Sequence, residues 1–207
     1  CSQRGCKCPW EEKSMKYGAK MLQWAPFAES DPEPAGALPK YGTPMNLGAL
    51  NKVTDSPTFN EAKGYGDNAL KVHVTEFKEA GIDVEVNELP NAAASAIFGA
   101  TLEAEEGQDL HFGSEDNPPY GGLAFYIDKM LGGNVKVYQG IYYPKAKASM
   151  QGEEYSTKGE SITLANSKIR FLASACNSGD WKILSKDFTT ETEAVSWVNE
   201  KIKAAGA

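Results

Sequence analysis

Apolar and polar side chains alternate one for one over much of this chain. Leu70, Val72 and Val74 interleave with Lys71, His73 and Thr75; after an Ala80-Gly81 break, Ile82, Val84 and Val86 interleave with Asp83, Glu85 and Asn87. A period of two marks a strand with one apolar and one wetted face. The same reading makes strands of Met15 to Ala25, Thr43 to Thr54, Lys145 to Met150 and Ser161 to Ala165. Hairpins are expected from Thr101 to Phe112 around Gly107, from Leu123 to Tyr143 around Gly132-Gly133, and from Lys168 to Asp187 across Asn177 to Asp180. Gly-Gly is a strong turn signal, because both residues accept positive φ. About ten short strands with frequent turns point to a mostly β fold, a sandwich or a barrel.

Two stretches follow the helical period instead. Pro90 to Ala100 (PNAAASAIFGA) is rich in helix-forming Ala, with Pro suited to the first turn and Gly99 placed to stop it. Near the C-terminus, Thr190 and Glu193 have capping-box spacing, and Ala194, Val195, Val198 and Ile202 form one apolar stripe with Trp197 at its margin. That helix should lie across a sheet face. Pro26 to Pro39, with four prolines, and Ser114 to Gly122 read as irregular connections. Asp55 to Asn68 (DSPTFNEAKGYGDN) has turn-forming residues and no apolar period beyond a pair of aromatics. It is expected to be a long loop, and loops of that length in a compact domain are usually functional or disordered.

Composition narrows the function classes. At 207 residues the chain suffices for one domain that needs neither disulfide nor metal to stand. Its longest apolar stretch, Ala92 to Ala100, is far shorter than the roughly 20 residues of a membrane-spanning helix. The net charge is −7, unevenly placed: Glu79 to Asp128 contains eleven carboxylates and no Lys or Arg. Such a segment repels phosphates, which argues against ordinary nucleic-acid binding there. It is either a solvated acidic face or a surface that must not hold DNA.

Catalytic chemistry is hard to find. Nucleophile-elbow, zinc-protease, phosphate-loop and dinucleotide-binding motifs are missing from the sequence. His73 falls on the wetted side of a strand and His111 in a short hairpin, both better read as surface or interface residues than as bases. Cys176 precedes a turn in an apolar strand, the setting of a buried structural thiol. Three further cysteines, Cys1, Cys6 and Cys8, fit no regular zinc spacing. No cofactor or metal site is expected, and the protein is expected not to be an enzyme. Residues 1–14 look foreign to the rest: the codons for Trp10-Glu11-Glu12-Lys13 spell a purine-rich stretch just ahead of Met15, like a ribosome-binding site read through. Met15 is therefore the expected natural start, with a single domain over 15–207.

Several words carry a resemblance: YGAK from Tyr17, YGTPMNLG from Tyr41, NEAKGYGDN from Asn60, GIDVEV from Gly81, YGG from Tyr120, YYPK from Tyr142, TKGESI from Thr157, and the closing helix from Phe188 to Ile202. In this order, across essentially Met15 to Ala207, the chain resembles the major tail tube proteins of long-tailed bacteriophages. The resemblance implies a β-sandwich with a short helix and a C-terminal helix, its sheets joining with those of neighbours into a hexameric inner β-barrel. Rings then stack into a hollow tube that passes DNA without binding it specifically, in company with a tape measure protein and a tail terminator, in the virion. On this reading Asp55 to Asn68 reaches the next ring through Phe59, Asn60, Glu61, Tyr65 and Asp67, with the two aromatics as anchors. Glu76, Glu79, Asp83 and Glu85, beside His73, become candidates for an acidic channel wall. The alternatives are another tail component, a terminator or a contractile-type inner tube, and, from a different class, a carbohydrate-binding β-sandwich.

Overall fold

The computed structural model describes residues 14–66, 69–103, 109–152 and 166–204. Residues 1–13, Asp67 and Asn68, the expected turn around Gly107 and the expected strand Ser161 to Ala165 lie outside them. In chain order the elements are β1 (Met15–Pro26), β2 (Met45–Asn46), β3 (Leu50–Gly66), β4 (Ala69–Val86), α1 (Asn91–Phe98), β5 (Thr101–Leu102), β6 (Leu110–His111), β7 (Tyr120–Leu131), β8 (Val135–Met150), β9 (Ser167–Ala173), β10 (Ile183–Phe188) and α2 (Glu191–Lys201). The protein is mostly β. Among the described residues every pair of strands is antiparallel, and the main sheet runs β2-β1-β7-β8-β9-β4-β3 with β10 also on β8. Its path through the described residues is open, ending on β2 and β3, with no closure into a barrel.

β8 is the hinge of the architecture. Tyr138 to Tyr142 pair with β10, whereas Ala146 to Met150 pair with β9. Pro144 sits at the changeover, where one neighbour has ended and the next has not begun. A proline costs no ladder bond there, which is why one is tolerated inside a 16-residue strand. The sheet thereby folds over, and its two halves face each other as in a β-sandwich. Leu22, Trp24, Leu123, Phe125 and Ile141 of one half meet Ile82, Val84, Ile169 and Phe171 of the other, and α1 closes one end with Ile97 and Phe98.

On the far side of the β1–β7–β8–β10 half, α2 lays down Ala194, Val198 and Ile202, all fully buried, over Ala124, Tyr126, Tyr142 and Phe188. The capping box forms as expected: the Glu193 amide donates to Thr190 Oγ1 and the Thr190 amide donates to Glu193 Oε2. The Tyr126 hydroxyl donates to Glu191 at 2.5 Å and Lys20 Nζ donates at 3.2 Å, tying the first turn of α2 to the sheet. Those two bonds hold the Glu191 carboxyl below its ordinary range. Beside them Asp128, nearly buried, takes Lys136 at 2.9 Å and Lys20 at 3.5 Å. One acid of the lysine-free segment is thus spent under α2, with no part in a solvent face.

Three expectations need correction. Asp55 to Gly66 is strand: it continues β3 and is paired with β4 as far as Gly66↔Ala69. Its Pro57 is harmless because β3 is an edge strand. The Ala80-Gly81 break is absent, and β4 runs unbroken over 18 residues. Finally, β9 and β10 do not pair with each other; each pairs with a different half of β8. Lys145 to Met150 is accordingly the second half of β8, not a separate strand.

The glycines of the YGG word are packing devices. A Cβ on Gly121 would stand 2.5 Å from the Trp24 ring, and one on Gly122 2.6 Å from the Tyr41 ring. Only bare backbone lets these two aromatics lie against β7. Gly48, at φ 103°, places its α-carbon where a Cβ would fall 2.2 Å from the carbonyl oxygen of Glu88, so a side chain is excluded there twice over.

Candidate assembly surfaces

β9 supports β4 only as far as Ala80↔Ala173. Beyond it, β3 and β4 continue as a lone two-stranded arm from Pro57↔Ala80 to Gly66↔Ala69. Ten residues of strand at about 3.3 Å each make it roughly 33 Å long. A two-stranded ribbon on its own is marginal in water. The root of this one is held: Phe77 stacks on Trp181 at 4.5 Å and Phe59 meets Phe77 edge-on at 5.9 Å. Asp55 is ion-paired with Lys182 and accepts from the Tyr143 hydroxyl at 3.0 Å, which pins β3 to the opposite half of the sandwich.

A bulge decides what the arm shows. Thr58 opposes Glu79, but Phe59 opposes Phe77, leaving Lys78 as the extra residue. The alternation therefore changes sides along β4. Ile82, Val84 and Val86 point into the core, whereas Val74 and Val72, also even-numbered, join Ala62 and Gly64 on the face that in the body carries Asp83 and Glu85. Val72 and Val74 are 55 % and 53 % exposed, an apolar strip that no described residue covers fully. The opposite face of the arm is polar, with Glu61 lying 3.5 Å from His73 and 3.3 Å from Lys63. Of the expected reach residues, Phe59 packs on its own hairpin while still 47 % exposed, Asn60 and Glu61 are exposed along β3, and Tyr65 lies in the paired tip. Asp67 lies outside the described residues.

The wall of carboxylates also changes character once the strands are in register. Glu85 stands between Lys52 of β3 and Lys168 of β9. Asp83 stands between Thr54 and Arg170, whose guanidinium reaches it at 3.8 Å and lies over Gly81. One pairing along, Leu172 faces Lys147, and Lys147 sits 5.5 Å over the exposed Tyr120 ring. Glu79 neighbours Lys78 at 3.4 Å, and Glu76 opposes Asn60 on the arm. This face alternates in sign; it is not a field of carboxylates. The bases come from stretches far away in sequence, so a reading of Glu79 to Asp128 alone could not include them.

The Asp55–Lys182 pair gives a pH signature. Burial pushes the Asp55 carboxyl up, but the Lys182 hydrogen bond and charge, with the Tyr143 hydroxyl, outweigh it and leave the group below its ordinary value of 3.8. A carboxylate depressed in the folded state contributes stability above its unfolded pKa, and that contribution is lost as pH falls through the folded value. Lys182→Met strands a half-buried carboxylate, so it should cost about 1 kcal/mol at neutral pH, solvent screening included. The deficit should begin to shrink at about pH 4, where the unfolded carboxyl protonates, and fade as pH drops through the lower folded value. Urea unfolding of the two proteins at pH 7 and pH 3 checks this; an equal deficit at both would remove the ion pair from the account.

The remaining candidates fall into place simply. His111 of β6 lies 3.1 Å from Glu103 on an exposed surface. Cys176 is buried, with its thiol 3.1 Å from the carbonyl of Asp180 and 3.2 Å from Ser178 Oγ. Among the described residues no group of three His, Cys, Asp or Glu side chains is arranged to hold a metal ion. No helix among them is long and apolar enough to cross a membrane. No family model matches the chain, and no curated protein matches it.

Proposed function

We propose that this protein is a structural subunit that builds the hollow tail tube of a long-tailed bacteriophage, by closing into hexameric rings that stack and pass DNA. One observation carries the reading: a roughly 33 Å two-stranded arm with a bare apolar strip and open edges, on an otherwise well-packed body. Monomeric proteins keep such edges short or covered, because they template further pairing. Here the edge strand β3 is 17 residues long, and among the described residues no strand pairs with its outer side. A surface left open in this way suits a partner of the same kind, and head-to-tail contacts between copies generate rings or filaments. The ordered succession of words resembling tail tube proteins supports the same conclusion. On this reading the subunit belongs to the virion, with a tape measure protein and a tail terminator as neighbours.

The test is negative-stain electron microscopy of the purified full-length chain, with sedimentation velocity alongside. Hollow tubes of uniform diameter support the reading; single rings point to a terminator-like component, and a strict monomer at high concentration rejects assembly altogether. If the face holding Asp83 and Glu85 lines the channel, its balance of charge lets phosphates pass without being gripped. Asp83→Lys with Glu85→Lys tips that face strongly basic in every copy. Genome ejection should then slow by about tenfold or more at low salt and recover as salt is raised, because ion-pair contacts with phosphate weaken steeply with salt. An ejection rate unchanged across salt concentrations would place this face elsewhere than the lumen.

A further inference from the structure

The arm leaves the body at the Ala80/Ala173 end of the β4–β9 pair; at the other end, marked by Val86↔Ser167, the sandwich opens into an apolar groove. The groove has a volume of about 560 Å³ and lies between α1, β6 and the ends of β8 and β9. Leu89, Phe98, Leu110, Phe112 and Met150 line it, with Lys168 on its rim. Phe112 and Met150 are 52 % and 53 % exposed, so large apolar side chains stand half in water at its mouth. We infer that this groove is the seat for the arm of a second copy of the chain, with Val72 and Val74 entering it; the inference rests on the stacking proposed above and names its acceptor.

Position, size and charge all fit that occupant. Strip and groove sit at opposite ends of the same strands, so a translation along the strand direction brings one copy's arm to the next copy's groove and repeats without closing. From Val72 to Glu76 the arm spans about 13 Å, and the eight residues of α1 that wall the groove span about 12 Å. Glu76 lies on the face of Val72 and Val74, one pair nearer the root, and would meet the Lys168 rim as the valines enter. Each of the two surfaces would cover apolar area that the described residues leave exposed on the other.

A photo-crosslinking residue, p-benzoylphenylalanine, placed at Val74 tests this in the full chain, with Ala62 as a second position. Isotope-labelled and unlabelled copies are mixed, assembled, irradiated and digested for mass spectrometry. Cross-links joining labelled to unlabelled chains at peptides containing Phe112 or Met150 are expected. Hollow polymers whose cross-links lie elsewhere, or stay within one chain, overturn the groove while leaving the tube standing. Failure of the unmodified chain to polymerise overturns both. Phe112→Glu with Met150→Glu should lower polymer yield at least about tenfold with an unchanged thermal midpoint; wild-type polymer yield would also overturn it.

Discussion

Exchanging Val72 and Val74 together for aspartate should give a folded monomer that no longer polymerises. Both residues lie beyond Ala80, where β9 has ended, and neither belongs to the buried clusters. More than half of each side chain is already in water. The substitution therefore removes nothing from the core, and the thermal midpoint should correspond to wild type within about 0.5 kcal/mol, as for ordinary surface changes. Assembly is another matter. Burying the exposed half of a valine contributes about 0.8 to 1.5 kcal/mol, so two valines lost per contact weaken each contact by about 1.5 to 3 kcal/mol, roughly ten- to a hundredfold. The new carboxylates must also be desolvated beside Glu76, and the loss recurs at every subunit of a ring. Sedimentation velocity with a parallel thermal melt separates the two effects. Tubes of normal yield would mean that the strip faces solvent in the polymer, and would remove the central support for the assembly reading.

That prediction could not have been framed from the chain alone, although its residues were in plain view. Alternation identified Val72, Val74, Ile82, Val84 and Val86 as apolar positions of strands, and all lie in β4. What alternation cannot register is an extra residue. The bulge at Lys78 sends the first two to one side of the sheet and the last three to the other. The stretch Asp55 to Gly66 lacks an apolar period for a related reason: a core imposes such a period, and past the Phe59–Phe77–Trp181 contact at its root the arm leaves the sandwich core behind. Where burial does act, the residues speak clearly. The capping box at Thr190 and the helix ending at Gly99 formed as their local chemistry requires; the turn between β7 and β8 also formed, with positive φ at Gly133 and Asn134 in place of the two glycines. Pairings between distant stretches had no local signal, so the fork of β8 and the bases opposite Asp83 and Glu85 emerged only with the register.

The largest loss of monomer stability should come from a residue with no side chain. Gly140 lies in β8 opposite Tyr126, on the face that α2 covers, and the ring of Trp197 rests against its backbone. A Cβ there would stand 2.2 Å from Trp197 Cε3 and 2.4 Å from Cζ3. No rotation of the new side chain relieves this, because the Cβ itself collides; Trp197 has to move. Trp197 sits on α2 within one turn of Ala194 and Val198, both fully buried, so the helix must shift or lift with it. Gly140→Val should thus cost about 3 kcal/mol, the upper range for overpacking a tight contact. Clash and loss of packing can be told apart with Trp197→Ala, which removes the obstructing ring. The double variant should be more stable than the sum of the single effects implies, by about 1 to 2 kcal/mol, since the two residues share one contact. Chemical unfolding of the four proteins measures the cycle, and near-ultraviolet circular dichroism reports whether the aromatic layer under α2 has loosened. Strictly additive effects would mean that α2 rides elsewhere on the sheet.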